Sequence, residues 1–237
     1  MMKRAVILAG GKGTRLRPYT VALPKPLMPI GEYPILEVII RQLRSQGFGH
    51  VTLAVNHQAD LFRAFFGDGS KWGMKIDYSL ESKALSTMGP LKLIEDLPEH
   101  FLVMNGDILT DVHYGEFLDA HAAEDRLFTI SAAARDQRID YGVLKVDGGN
   151  TLVGFDEKPS IPFLVSMGVY AVSRRTLDNI PPDQAYGFDH LVLGFLAEQK
   201  QVTVVPHLGY WLDIGRPDDY ERAIDDWPEL SKRLVIA

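Results

Sequence analysis

Three glycines crowd into four positions early in the chain, at residues 10, 11 and 13. They directly follow the apolar run 5–9. Glycine removes the Cβ atoms from a turn, so the backbone N–H groups there can converge on phosphate oxygens. The dinucleotide pattern G-x-G-x-x-G fails because Leu16 stands at the third glycine position, and the P-loop pattern has no match. The stretch therefore indicates an anion-binding turn of another kind.

Cations lie next to this turn. Arg15 and Arg17 come just after the glycines, and Lys25 follows one short loop later between two prolines. The prolines fix the backbone on both sides and so aim a single cation. Residues 1–50 carry eight cations and two anions, whereas the whole chain has a net charge of −6. This imbalance predicts a local site for a small polyanion and argues against a general nucleic-acid surface.

Two aspartates follow apolar runs and are candidate cation ligands. Asp107 comes after the predicted strand 101–104, and Asp213 follows the run 210–212. Ligands of open α/β sheets bind outside the carboxyl ends of the strands. Mg²⁺ usually takes one or two protein carboxylates together with phosphate oxygens and waters. A lone aspartate before a turn is more often an ordinary turn residue, so these positions alone leave both interpretations open.

The elements that must position these residues change character along the chain. Apolar runs at 5–9, 51–55, 75–78 and 101–104 predict strands, and amphipathic segments at 34–46, 60–66 and 89–95 predict helices. This alternation predicts βαβ units and a mostly parallel sheet covered by helices. Strand-like runs at 128–133, 142–146, 152–155 and 165–172 predict a smaller antiparallel insertion, before a helix at 187–199, a strand at 202–205 and a helix from about 217.

The composition narrows the class of protein. With 237 residues, 46% of them hydrophobic, and no linker-like segment, we predict one Rossmann-like α/β domain over residues 1–237. The absence of cysteine excludes disulfides, thiolate nucleophiles and cysteine-ligated metals. No stretch reaches about 18 apolar residues, and the first apolar run is shorter than a signal-peptide core, so we expect a cytoplasmic protein without membrane partners. The histidines lack zinc-site spacing and are expected to be structural; they include His57, His113, His121, His190 and His207.

The sequence resembles the sugar-1-phosphate nucleotidyltransferases, also called nucleotide-sugar pyrophosphorylases. The signature is Leu8-Ala9-Gly10-Gly11-Lys12-Gly13-Thr14-Arg15-Leu16, followed by Pro24-Lys25-Pro26 and Pro34-Ile35-Leu36-Glu37. Further similar pieces, in the family's order, are Asn105-Gly106-Asp107, Tyr141-Gly142-Val143, Glu157-Lys158-Pro159, Gly168-Val169-Tyr170 and Trp211-Leu212-Asp213-Ile214-Gly215. The resemblance runs from residue 4 to about residue 224 and is closest to the GDP-mannose pyrophosphorylase-like guanylyltransferases.

The resemblance implies a reaction and its partners. A nucleoside monophosphate would pass from an NTP, with GTP expected, to a sugar 1-phosphate of the mannose, heptose or amino-sugar type, and pyrophosphate would be released. Mg²⁺ is the implied cofactor. Residues from 1 to about 125 would form the nucleotide-binding half, and residues from about 126 to 237 the sugar-phosphate-binding half. The oligomeric state stays open, with a homo-oligomer among the alternatives.

The residue types suit this chemistry without a catalytic triad. A sugar 1-phosphate has its second pKa near 6 and is mostly a dianion at pH 7, so the nucleophile needs no general base. The protein must instead align two polyanions and neutralise the charge on the phosphates. Positioned cations and a divalent metal ion would meet that need.

The resemblance also implies roles for individual residues. It makes Arg15, Lys25, Asp107 and Asp213 catalytic, with Asp107 and Asp213 as the metal ligands. Nucleotide binding falls to Leu8, Ala9, Gly10, Gly11, Gly13, Thr14, Arg15, Lys25, Glu81 and Ser86. Sugar-phosphate binding falls to Asn105, Gly142, Glu157, Lys158 and Gly168.

One segment departs from the family pattern. Guanylyltransferase-like members typically have an acidic residue followed by Leu-Gly-Thr-Ala-Gly, whereas this chain reads Glu81-Ser82-Lys83-Ala84-Leu85-Ser86-Thr87-Met88-Gly89. Ser86 and Met88 replace a glycine and an alanine where backbone and base come close, and we expect them to tighten the base pocket. Glu81 could accept hydrogen bonds from guanine N1–H and N2–H₂, which favours GTP.

Three alternatives remain beside the guanylyl transfer reaction. The enzyme could use UTP, CTP or dTTP. The altered segment could instead mark a nucleotide-sugar-sensing homologue without turnover, although the two aspartates and the lysines at 25 and 158 argue against it. A nicotinamide oxidoreductase is disfavoured because the third motif glycine is missing.

Overall fold

The structure, a computed structural model, describes residues 2–11, 13–56 and 58–234. Lys12 and His57 therefore lie outside the described residues. The strands are β1 (Lys3–Leu8), β2 (Pro29–Ile30), β3 (Tyr33–Pro34), β4 (Phe48–Val55), β5 (Lys75–Leu80), β6 (His100–Asn105), β7 (Ile108–Thr110), β8 (Phe128–Arg138), β9 (Val143–Val146), β10 (Leu152–Asp156), β11 (Ser160–Ser173), β12 (Val202–His207) and β13 (Trp211–Asp213).

Five α-helices accompany these strands in the described part of the chain. They are α1 (Ile35–Ser45), α2 (Ala59–Phe66), α3 (Tyr114–Ala123), α4 (Phe188–Ala197) and α5 (Pro217–Leu234). Short 3-10 helices cover Thr14–Leu16, Lys25–Leu27, Ser70–Trp72, Gly89–Leu93 and Arg174–Asn179. None of the described helices combines the length and the apolar character needed to cross a lipid bilayer.

A seven-stranded sheet in the order β12-β8-β11-β6-β1-β4-β5 forms the centre of the molecule. Strands β6, β1, β4 and β5 run parallel, as do β12 and β8, while β11 is antiparallel to both its neighbours. The predicted fold class, a mostly parallel sheet with a smaller antiparallel part, is confirmed. Because β1 has β4 on one side and β6 on the other, the strand order switches at its carboxyl end, where such sheets bind ligands.

Side-chain alternation in the central strands builds a core on each face of the sheet. On β1, Ile7 joins the core formed with α1, α2, α3 and α5, and Val6 joins the core formed with α4. On β6, Met104 lies in the same core as Ile7, and Val103 lies in the same core as Val6. All four side chains are fully buried. These strands are therefore near-continuous apolar runs, as expected for strands covered on both faces.

The antiparallel part is longer than predicted and partly leaves the sheet. Strands β8 and β11 stay paired from Val172 and Phe128 out to Ser160 and Arg138. Their outer halves are exposed, and β9 and β10 form a separate two-stranded hairpin beside them. A bulge interrupts β11, since β11 advances from residue 166 to 170 while β8 moves from 132 to 130.

The structure has several elements that the sequence analysis did not predict, among them the short strands β2, β3 and β7. The predicted helix 89–95 is a 3-10 helix over Gly89–Leu93. Helix α3 was not predicted, because Gly115 in its first turn lowers helix propensity. That glycine is needed for packing, since an added Cβ would lie 2.6 Å from the carbonyl oxygen of Gln46.

His121 links helix α3 to the sheet. Its ring is fully buried, and Nδ1 lies 2.8 Å from the hydroxyl of Thr129 on β8. Burial is the main cause that lowers the pKa of His121 to about 4, and the neighbouring His100 lowers it further. The ring therefore stays neutral in the folded protein at pH values where an unfolded histidine would take up a proton.

We expect the free energy of unfolding to fall as the pH drops from about 6.5 to about 4. In that window the unfolded chain binds a proton at His121 and the folded chain does not, which removes up to about 1.4 kcal/mol per pH unit. Urea unfolding at several pH values measures the slope. His121→Gln should flatten it by about one proton, and the exposed-site control His113→Gln should not. An unchanged slope in His121→Gln would contradict this assignment.

Candidate active site

A cavity of about 700 Å³ opens at the carboxyl ends of four parallel strands. Leu8 ends β1, Asn105 ends β6, and Asn56 and Glu81 directly follow β4 and β5. This is the crevice expected at the switch point of the strand order. Every residue predicted to bind nucleotide lines it: Leu8, Ala9, Gly10, Gly11, Gly13, Thr14, Arg15, Lys25, Glu81 and Ser86.

The glycine turn has a backbone that requires glycine at Gly13. Its φ is +57°, in the left-handed region, and an added Cβ would lie 2.9 Å from Thr20 Cγ2. The Thr20 hydroxyl donates to the Gly13 carbonyl at 2.7 Å and holds the turn. Leu16, which breaks the dinucleotide motif, is fully buried in the core. It anchors the 3-10 turn and leaves Arg15 exposed at the cavity.

Glu81 packs closely against the glycine turn. A Cβ on Gly10 would lie 2.9 Å from Glu81 Oε1. The other carboxylate oxygen, Oε2, accepts from the Leu85 N–H at 3.1 Å. Burial raises the pKa of Glu81, and the Leu85 hydrogen bond opposes this. One oxygen thus orders the following loop, and the other stays available on the cavity side.

Asn56 is a lining residue that the sequence analysis missed. Its side-chain amide donates to the carbonyl of Gly10 and so ties the end of β4 to the glycine turn. The position directly after the predicted strand 51–55 was a usable signal, because polar residues at that edge of the sheet face the ligand crevice.

Lys25 lies almost fully inside the protein, with 8% of its surface exposed. Its Nζ donates to Asp107 Oδ2 at 2.5 Å and lies 3.8 Å from Asp213 Oδ1. Pro24 and Pro26 frame it, and the Met28 N–H donates to the Lys25 carbonyl at 3.0 Å to close the 3-10 turn. The lysine predicted to meet a triphosphate therefore contacts both predicted metal ligands.

A short two-stranded ribbon brings the two aspartates together. Strand β13 pairs antiparallel with β7, with Asp213 opposite Ile108. The Ile214 N–H donates to the Asp107 carbonyl at 3.1 Å. Asp219 accepts from the Gly215 and Arg216 N–H groups and fixes the start of α5 beside the pair.

The carboxylate pair has the character of a cation site. Burial raises the pKa of Asp213, the charge of Asp107 raises it further, and Lys25 and Arg15 oppose this. Asp107 Oδ1 is buried without a hydrogen-bond partner. An unpartnered carboxylate oxygen beside a second carboxylate fits a divalent cation. No cluster of three or more acidic or histidine ligands occurs among the described residues, so such a cation would need further oxygens from a ligand or water.

The residues predicted to bind sugar phosphate fall into two groups. Asn105 and Gly168 are neighbours, since a Cβ on Gly168 would lie 2.5 Å from Asn105 Nδ2, and Gly168 has a φ of +72° in the β11 bulge. Gly142 and Glu157 meet on the β9–β10 hairpin, where a Cβ on Gly142 would lie 3.4 Å from Glu157 Oε2. Lys158, with φ +45°, is exposed on the same hairpin.

Asn105 is the member of this predicted set that lines the cavity in the described part of the chain. Gly168 lies against Asn105 but is not itself among the lining residues, and neither are the residues at 142, 157 and 158. Their sugar-phosphate role stays a prediction.

The expectation that both Ser86 and Met88 narrow a base pocket is wrong for Met88. Ser86 lines the cavity, but Met88 is fully buried in the core on the α4 side. Hydrogen bonds to the chain just before α4 hold Met88 in this position. The Met88 and Gly89 N–H groups donate to the Tyr186 carbonyl at 2.9 and 3.0 Å. The Phe188 N–H donates to the Thr87 hydroxyl at 2.7 Å.

Ser86 occupies a backbone conformation that favours glycine. Its φ is +64°, which is strained for a residue with a Cβ. Backbone geometry is thus one reason for the glycine of the related pattern at this position, and the expectation that Ser86 narrows a base pocket stays a prediction.

The fold is an open α/β sheet with a polar cavity at the carboxyl ends of its strands, and comparison with known proteins assigns the family. The model of the nucleotidyl transferase family matches residues 4–229. The chain belongs to the nucleotidyl transferase family. The resemblance noted in the sequence is thereby confirmed.

Several proteins are similar to this chain over most of its length. It is 32% identical to a UTP–glucose-1-phosphate uridylyltransferase of Synechocystis, over 93% of this chain and 62% of the relative. It is 31% identical to a mannose-1-phosphate guanylyltransferase of Mycobacterium tuberculosis, over 94% of this chain and 64% of the relative. The chain thus spans less than two thirds of the length of these relatives.

A solved structure extends the comparison. The crystal structure of HddC from Yersinia pseudotuberculosis has a TM-score of 0.72 and 28% identity, and covers 95% of this chain and 99% of HddC. A second structure of HddC, complexed with GMP-PN, has a TM-score of 0.71.

We expect Ser86→Gly to raise the free energy of unfolding by up to about 1 kcal/mol, because it removes the Cβ from a left-handed backbone. Ser86→Ala is the matched control: it loses the hydroxyl, keeps the strain and should not be stabilised.

Met88→Ala should act in the opposite direction, lowering the free energy of unfolding by about 2–5 kcal/mol because it leaves a cavity in the core. Denaturant unfolding of the three variants measures these changes. A Met88→Ala variant as stable as wild type would contradict the buried placement.

Proposed function

We propose that the chain transfers a nucleoside monophosphate from an NTP to a sugar 1-phosphate, releasing pyrophosphate. The observation that supports this most directly is the cavity, where the glycine turn, Arg15, Lys25 and Asp107 meet at one edge of the sheet, with Asp213 3.8 Å from Lys25 Nζ. Family membership and the names of the relatives above agree with it.

The chain's own residues suit charge neutralisation and alignment. Arg15 is exposed at the cavity, and its planar fork can hold two phosphate oxygens of a triphosphate. The free backbone of the glycine turn can approach those phosphates closely, since nothing lies within 4 Å of a Cβ added at Gly11. A sugar 1-phosphate dianion needs no base to attack, so the protein has only to hold the two anions in line.

We propose Mg²⁺ as the cofactor, held by Asp107 and Asp213. The unpartnered Asp107 oxygen and the raised pKa of Asp213, which burial and Asp107 cause, are what support this. When bound, the metal ion would neutralise phosphate charge and help to orient the triphosphate. The β7–β13 ribbon already holds Asp107 and Asp213 near each other, so both could bind one metal ion without a large movement.

We propose GTP as the donor. Glu81 places a partly buried carboxylate oxygen on the cavity side, and such an oxygen can accept from the two adjacent N–H donors on guanine. The HddC structure with GMP-PN and the guanylyltransferase relative support this choice. The Synechocystis relative, named a uridylyltransferase, makes UTP the second candidate.

The sensor alternative is not favoured. It depended on both Ser86 and Met88 filling the base pocket, and Met88 packs in the core instead. The named relatives are transferases.

We expect pyrophosphate release with GTP to exceed that with UTP, dTTP or CTP by at least about tenfold in kcat/KM, because only guanine offers two adjacent donors, N1–H and N2–H₂. Uracil and thymine offer the single N3–H, and cytosine offers its amino group beside an acceptor nitrogen. A coupled pyrophosphate assay with mannose, glucose and glucosamine 1-phosphates measures this. UTP preference would keep the transferase class and overturn the role of Glu81. No release in any pairing would contradict the proposed activity.

Asp107→Asn and Asp213→Asn serve as the variants in the same assay. Each should lower kcat by at least about two orders of magnitude because each removes a carboxylate from the cation site. Asp60→Asn, at an exposed aspartate on α2, is the matched control and should keep wild-type turnover. Turnover within tenfold of wild type in either site variant would refute the metal assignment.

Arg15 and Lys158 should separate the two substrates. Arg15→Ala should raise the KM for the NTP more than for the sugar 1-phosphate, and Lys158→Ala should do the reverse, because each cation is assigned to a different anion. Steady-state kinetics with each substrate varied in turn measures the two KM values. Equal effects on both substrates would show that the assignments are wrong.

A further inference from the structure

The side chain of Lys25 occupies an unusual place for a residue expected to bind a nucleotide. A lysine is rarely buried unless it is paired, and Lys25 is paired with the two carboxylates that are proposed to hold the metal ion. Its Nζ contacts Asp107 Oδ2 at 2.5 Å and lies 3.8 Å from Asp213 Oδ1. The ammonium group therefore sits against the oxygens that a divalent cation would use.

The backbone around Lys25 is fixed, whereas the lysine side chain has rotatable bonds that can redirect its charge. Pro24 and Pro26 flank it, and the 3-10 turn is closed by the Leu27 N–H to the Pro24 carbonyl at 2.8 Å. Lysine has a flexible four-carbon stem that carries a point charge. The ammonium group can consequently change partner within the cavity without a change in the main chain.

Positive charge already offsets most of the negative charge at the site. Asp107, Asp213 and the nearby Asp219 contribute three negative charges, and Lys25 and Arg15 contribute two positive ones. A divalent cation alone would have to join this group beside a buried ammonium, which like-charge repulsion disfavours. The phosphates of an NTP are negative and can accept from Lys25 in place of the carboxylates. The carboxylates can then bind the metal ion.

We propose that Lys25 holds the cation position in the nucleotide-free protein and leaves it only when metal ion and nucleotide arrive together. This inference rests on the proposed function. It makes Lys25 a positioning residue that couples the two ligands: the nucleotide increases metal affinity, and by linkage the metal increases nucleotide affinity by the same factor.

Mn²⁺ binding to the full chain without nucleotide tests this, by electron paramagnetic resonance of the free ion. Lys25→Met keeps an unbranched side chain, one atom shorter, and removes the charge, and it should bind one Mn²⁺ at least about tenfold more tightly than wild type. Lys3→Met is the matched control. Lys3 is the first residue of β1, at the end of that strand opposite to the cavity, and its Nζ donates to Asp119 at 2.7 Å. It should leave Mn²⁺ affinity unchanged. Equal affinities in wild type and Lys25→Met would overturn the proposal.

Coupling is the second readout. A non-hydrolysable analogue of the preferred NTP should tighten Mn²⁺ binding to wild type by more than it tightens binding to Lys25→Met. The same or larger coupling in the variant would overturn the proposal. Because neither measurement requires turnover, nucleotidyl transfer with equal Mn²⁺ affinities would refute only the role of Lys25. The expected Mn²⁺ pattern without any transfer would refute only the proposed activity.

A structure of the wild-type protein keeps the proposal testable if Lys25→Met fails to fold, for example because the two carboxylates lose their cation. With Mn²⁺ and the NTP analogue bound, the Lys25 Nζ should lie more than about 3.5 Å from Asp107 Oδ2, beyond hydrogen-bond distance. A lysine still bonded to Asp107 with the metal ion in place would overturn the proposal.

Discussion

The position of β1 between β4 and β6 is the constraint on which the candidate site depends. The carboxyl ends of these parallel strands leave a crevice where the strand order switches. The glycine turn leaves β1 into that crevice, and Asn105 and Asp107 enter it from the end of β6. The Gly106 N–H donates to the Leu8 carbonyl at 3.0 Å and joins the two strand ends directly. A different neighbour for β1 would separate the glycine turn from the carboxylates.

Electrostatic balance is the second constraint. Bringing two carboxylates together in a half-buried place costs free energy unless positive charge is near. The β7–β13 ribbon imposes the close approach of Asp107 and Asp213, and Lys25 supplies the charge. The same ammonium group that stabilises the carboxylate pair would compete with the proposed metal ion for it, which connects the folding of this region to its proposed ligand order.

The segment 86–91 depends on the core on the α4 side. Met88 and Leu91 are packed there with Phe128 and Phe195, and the Tyr186 carbonyl holds the turn from outside. Phe128 lies in an aromatic group with Tyr170, Phe188 and Phe195 at centroid distances of 5.6, 6.3 and 5.9 Å. The strained Ser86 is therefore held by a well-packed support. The β9–β10 hairpin has no comparable core, since Leu144, Val146, Leu152 and Phe155 are exposed.

The sequence by itself determined the features that depend on neighbouring residues. Closely spaced glycines predict the turn, prolines around Lys25 predict a fixed cation, and apolar alternation predicts the order of strands and helices, because backbone freedom and side-chain periodicity are local properties. Only the tertiary structure decided which distant groups meet. It paired Lys25 with both aspartates, gave Asn56 a role at Gly10, and turned Met88 into the core while Ser86 faced the cavity. These outcomes depend on strand pairing and packing between segments far apart in the chain, and no local pattern carries that information.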